Sequence, residues 1–153
     1  MKKLLLLFIA SISLMFSSCS KQESSQIVKI NHETYFGECF GYCITKTQFT
    51  SDNFLKKTLG WTEDANFPEI NCTDSSTSEW EDIISLIDFE DFKNYKEIYG
   101  CPDCADGGGE ILKIFTEEES YEILIEFSDF PEGLKPIFDK IKEIVENDEN
   151  WDC

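Results

Sequence analysis

Apolar residues are distributed along the chain in three distinct ways. The first is an apolar run over residues 4–16, placed between Met1-Lys2-Lys3 and Ser17-Ser18-Cys19-Ser20. Its 13 residues fall short of the roughly 20 that a permanent membrane helix needs. A basic start, a short apolar stretch and small residues before a cut site describe a secretory leader instead. Residues 20–26, Ser-Lys-Gln-Glu-Ser-Ser-Gln, are polar without periodicity and predict a tether.

The second pattern is β-type. Residues 27–32 (Ile-Val-Lys-Ile-Asn-His) predict a first strand, and residues 42–49, rich in β-branched and aromatic side chains, a second. Between them Gly37 and Gly41 bracket a bend. After the turn signal Ser51-Asp52-Asn53, the alternation of Leu55, Lys57, Leu59 and Trp61 predicts a third strand. The polar residues 62–77, with Pro68 and Cys72, predict a loop. Later in the chain the nearly all-apolar residues 111–115, the turn Glu117-Glu118-Glu119-Ser120 and the alternating Tyr121, Ile123, Ile125 and Phe127 predict a hairpin.

The third pattern is helical. Ser76-Thr77-Ser78-Glu79 fits a capping box, followed by Trp80, Ile83, Ile84 and Ile87 on one face. Asp88 suits the cap of a further short turn carrying Phe89, Phe92 and Tyr95. Pro131 and Pro136 are tolerated near a helix start, and Ile137, Phe138, Ile141, Ile144 and Val145 mark the face of a last helix, with fraying from Asn147 onward. The order β-β-β-α-β-β-α predicts an α+β domain. Its expected architecture is a five-stranded, largely antiparallel sheet with two helices on one face, over residues 27–153, behind a leader (1–18) and a tether (19–26).

Composition narrows the function. At 41% hydrophobic and 14% aromatic residues, the chain is too apolar for disorder. All 31 acidic residues follow the leader, with 11 of the 13 lysines and no arginine. Such a surface repels phosphate backbones, which argues against nucleic acid, and favours a cationic protein, peptide or divalent ion as partner.

Apart from Cys19, six cysteines remain: Cys39, Cys43, Cys72, Cys101, Cys104 and Cys153. An even number in an exported chain points to structural disulfides. Cys39–Cys43, Cys101–Cys104 and Cys72–Cys153 is the favoured pairing. The rival joins the Cys-x3-Cys bend to the Cys-x2-Cys loop, and spacing alone leaves both open. Other chemistries also fit these positions. Cys101-Pro102-Asp103-Cys104 has the spacing of a thiol–disulfide exchange pair, yet Asp103, Asp106 and Glu110 surround it where a reactive thiol needs cations. Cys39, Cys43, Cys101 and Cys104 match zinc spacing, although export disfavours free thiolates. Calcium on Asp103, Asp106 and Glu110 lacks the alternate-residue pattern of a calcium loop, and Gly107 to Gly109 more simply supply positive φ angles. His32 is the only histidine and lies on a predicted strand, as a structural or exposed residue rather than a base. No nucleophile motif, phosphate loop or histidine cluster is present, so no catalytic residue, metal or cofactor is assigned.

Two further features carry a resemblance. Ser17-Ser18-Cys19 resembles the lipobox of bacterial lipoproteins, with Phe16 where leucine is usual. That implies cleavage before Cys19, lipidation of Cys19 and membrane attachment in the cell envelope. The segments Gly37-Glu38-Cys39-Phe40-Gly41-Tyr42-Cys43, Trp61, Pro68-Glu69-Ile70-Asn71-Cys72 and Gly100-Cys101-Pro102-Asp103-Cys104-Ala105-Asp106-Gly107-Gly108 resemble a group of small bacterial envelope lipoproteins with no assigned biochemical function. The resemblance implies an α+β lipoprotein domain and brings no catalytic residue with it. The function expected is a lipid-anchored, non-enzymatic protein- or peptide-binding module. The alternatives are thiol–disulfide exchange at Cys101 and Cys104, or a cysteine-ligated metal module.

Overall fold

A computed structural model describes residues 26–75, 77–104, 107–127, 129–147 and 151–153. The leader, Cys19 and almost all of the tether lie outside the described residues. Among those described, the chain is α+β with a mixed sheet of seven strands, in the order β4-β3-β2-β1-β6-β7-β5. The strands are β1 (Ile27–Tyr35), β2 (Ile44–Phe49), β3 (Phe54–Leu59), β4 (Ile70–Asp74), β5 (Ile98–Tyr99), β6 (Gly109–Thr116) and β7 (Ser120–Glu126). Every pairing is antiparallel except β5 on β7, which is parallel. Three helices, α1 (Trp80–Ser85), α2 (Phe89–Phe92) and α3 (Lys135–Glu146), accompany the sheet.

The sheet therefore has seven strands rather than the expected five, and three helices rather than two. β4 lies inside the segment read as loop: its Ile70 and Asn71 are exposed, and only Cys72 and Asp74 turn inward. β5 is two residues long, too short for any alternation to show. In β3 the buried residue is Phe54, while Leu55 is exposed and Leu59 half-buried on the other face. Phe54 pairs with Phe49 across the ladder, their rings meeting edge to face at 4.9 Å. Trp61 falls beyond the end of β3.

α1 begins after a 3-10 turn at Thr77–Glu79, and Glu79 at its start makes no side-chain cap. The expected capping box pairs Glu79 with Ser76, which lies outside the described residues. Asp88 does cap α2, its carboxylate accepting from the Glu90 and Asp91 amides at 3.0 and 3.2 Å. α3 buries Ile137, Phe138, Ile141 and Ile144 in the main core, beside Ile30, Leu112, Ile114, Ile123 and Ile125 from the central strands. Full burial of one such side chain is worth about 1.5–3 kcal/mol.

The C-terminus does not fray away. Trp151 is buried with its indole N–H donating to Ile144 O at 3.1 Å, and Asp152 exchanges two backbone hydrogen bonds with Thr73, each 2.8 Å. Cys153 is bonded to Cys72, and the other disulfides are Cys39–Cys43 and Cys101–Cys104. Among the described residues no helix is long and apolar enough to cross a membrane.

Candidate interaction surface

The antiparallel registers bring four connections to one end of the sheet. β1 ends there at Tyr35, opposite Ile44 and Gly109, β3 ends there at Leu59, and β7 ends at Glu126 opposite Gly109. The connections are residues 36–43, 60–69, 100–108 and 127–134. Cys39–Cys43 and Cys101–Cys104 both lie in this set, and β1 carries the N-terminus away to the opposite end.

These loops hold aromatic side chains in solvent. Phe40 is 87% exposed and Trp61 51%, although each is fixed by neighbours. The Trp61 indole N–H donates to Phe36 O at 2.8 Å and its ring meets Tyr35 edge-on at 6.0 Å. Phe67 receives Phe40 at 5.2 Å and Tyr42 at 5.6 Å, while the Tyr42 hydroxyl donates to Pro68 O at 3.0 Å. Phe36 packs on Phe127 at 4.7 Å. Gly41, at φ +93°, turns beneath the Phe67 ring, which a Cβ would meet at 3.1 Å.

Beneath these rings lies a second, small core of Tyr35, Cys43 and Ile44, with Cys39, Leu59, Ile111 and Leu124 against it. It sits on the face away from α3. Gly108, at φ +81°, lets the third loop approach so closely that a Cβ would fall 2.0 Å from Tyr35 O. Gly107 and Gly109 have no positive φ, so only one of the three consecutive glycines plays the role expected of them all. The Tyr35 hydroxyl donates to Asp103 at 3.3 Å. Burial, helped by the Asp103 carboxylate, raises the Tyr35 phenol above its ordinary value of 10.0. Glu126 accepts from the Cys101 N–H at 2.9 Å.

No protein-family model matches the chain, and no curated protein is similar to it.

The structure separates several residues grouped by spacing. Asp103 meets Tyr35, whereas Glu110 is turned to the helix-facing side and meets His32 at 3.1 Å, so the two share no cation. Asp106 lies outside the described residues. The four cysteines of the zinc reading are oxidised in two separate pairs. Among the described residues, no group of three or more His, Cys, Asp or Glu side chains is placed to hold a metal ion. The aromatic end was not recognisable as a surface from sequence. Phe40 and Tyr42 lie on a different connection from Trp61 and Phe67, and an aromatic residue beside a glycine or proline suits a core equally well. The available signal was charge: these four connections carry eight acidic residues and no basic one.

Proposed function

We propose that this protein is an exported, non-enzymatic binding module, attached to a bacterial envelope membrane by lipid on Cys19, which captures a cationic protein or peptide segment on its aromatic end. The observation that carries the reading is the pair Phe40 and Trp61, open to solvent, Trp61 held by its indole hydrogen bond and Phe40 against Phe67, within loops whose only charges are negative. Exposed aromatic rings supply contact area at small entropic cost and attract ammonium and guanidinium groups through their faces. Two disulfides and the ring contacts order the loops before a partner arrives, which lowers the entropy lost on binding.

Export is supported by the three disulfides, which persist in oxidising compartments. β1 spans nine residues from the tether side to Tyr35, about 30 Å of strand, so a membrane at the N-terminus leaves the rings pointing outward. Thiol exchange at Cys101 and Cys104 is disfavoured by the carboxylates of Asp103 and Glu126 beside that pair, because they oppose thiolate formation.

The test is a calorimetric titration with an amphipathic peptide of leucine and lysine, alongside its glutamate counterpart. The lysine peptide should bind, weaken as salt rises, and lose at least tenfold in affinity with Trp61→Ala or Phe40→Ala, about 1.4 kcal/mol or more. Equal binding of both peptides, or full affinity in both variants, would remove the proposal. An insulin-reduction assay checks the enzymatic alternative: turnover lost in Cys101→Ser would favour it.

A further inference from the structure

On the opposite face, below Phe36 and Phe127, α3 leaves a cavity of about 270 Å³ against β1, β2 and β6. It is the apolar space beneath the helix into which ionisable groups have been built. Phe36 packs on Phe127 at 4.7 Å along one wall, and Phe130 stacks on Phe138 at 4.4 Å. His32 and Glu110 also line it, each only 7% exposed, with Nε2 and Oε2 3.1 Å apart. Phe138 meets the His32 ring edge-on at 5.8 Å.

A buried carboxylate ordinarily satisfies several lone pairs, because two oxygens offer about four acceptor sites. Glu110 makes one side-chain hydrogen bond among the described residues, the one to His32. Glu110 stands opposite Ile125 in the ladder, and its contact with His32 occupies one of its two oxygens. A carboxylate retained against its desolvation cost, with accepting capacity to spare and phenyl rings around it, is a site for a cation. Asp139 and Glu146 flank the mouth, Asp139 paired with Lys135 and Glu146 lying 3.8 Å from Lys142.

We propose that this cavity binds a protonated primary amine carried on a small apolar body, with the ammonium directed at Glu110 and the apolar part between the phenyl rings. A free amine and a lysine side chain from a bound segment share that chemistry. The site is separate from the aromatic end except for Phe36 and Phe127 on their common border.

The single histidine gives an unambiguous reporter, since the full chain has one imidazole. With the full-length protein in detergent, phenethylamine, 3-phenylpropionate and the leucine–lysine peptide are each titrated while the His32 ring resonances are followed by NMR. Movement of His32 with phenethylamine, and none with the equally shaped anion, is expected and assigns a free amine. Movement with the lysine peptide alone assigns a side chain. Glu110→Gln should weaken the amine at least tenfold. Should that variant not fold, Lys142→Met, on the exposed face of α3, should tighten the amine severalfold. Equal response to the anion, no response to either amine source, or unchanged affinity in both variants overturns the proposal. Because Trp61 reports on the aromatic end and His32 on the cavity, failure of one leaves the other to be judged separately.

Discussion

Glu110 and His32 show how a residue acquires meaning only from its cross-strand neighbours. They are 78 positions apart, and the register pairing Thr34 with Glu110 and His32 with Leu112 sets them diagonally on one face. Removing one partner leaves the other a buried polar group without its hydrogen bond, so His32→Leu and Glu110→Leu should each cost about 1–3 kcal/mol in urea denaturation. The double variant should cost clearly less than the two together, because no buried polar group is left without its partner. Tyr35 carries a different dependence. Its raised phenol keeps the proton in the folded state above pH 10.0, where the unfolded chain has begun to lose it. The folded state then binds more protons, so stability falls as pH rises past 10. Asp103→Asn should bring the Tyr35 titration down towards, but not fully to, its ordinary value, since burial is the larger cause; ultraviolet titration of the phenols follows this. Gly108→Ala should destabilise by more than about 2 kcal/mol, since a Cβ there collides with the Tyr35 carbonyl and the φ of +81° is itself unfavourable.

Elements with long, regular patterns were legible; those defined by their neighbours were not. The β6–β7 hairpin and α3 announce themselves through the nearly continuous apolar run 111–115, the alternation of Tyr121, Ile123 and Ile125, and the Ile137–Ile144 stripe at helical spacing. β3 lies where the alternation places it, but its contact with the main core comes from another residue. Leu55, Leu59 and Trp61 make a clean period of two, but that set faces the open side and the small second core, while Phe54 alone anchors the main one. Phe54→Ala should therefore cost about 3–5 kcal/mol and Leu55→Ala under about 1, by thermal or chemical denaturation. β4 escaped detection for a related reason. It is held by β3 on one side and, through Thr73 and Cys72, by the C-terminal tail, so its stability comes from contacts 80 residues away rather than from its own composition. The same contact reverses the expectation of a frayed end. Reduction or Cys153→Ser opens a link with a sequence separation of 81, worth about 4 kcal/mol on the chain-entropy account, against about 2 for the short Cys39–Cys43 ring.

Across the whole molecule, charge and polarity divide by region. Lysines concentrate in the strands and in α3, where Lys46, Lys57 and Lys113 pair with Glu33, Glu69 and Glu122 across the open sheet face. The aromatic end has none of its own, so the overall charge of −18 is least compensated where the rings are exposed. Composition shows the excess of acid; only the strand registers show where loops free of lysine gather, bringing those from residues 36, 60, 100 and 127 onward to one end of the sheet. The three tryptophans allow a direct test, because Trp61 is half exposed while Trp80 and Trp151 are buried at distant points of the core. Following the three indole N–H resonances during titration with the leucine–lysine peptide should show Trp61 shifting in proportion to peptide bound, with Trp80 and Trp151 unmoved. A binding peptide that leaves Trp61 in place, or that moves all three equally, contradicts capture at this end.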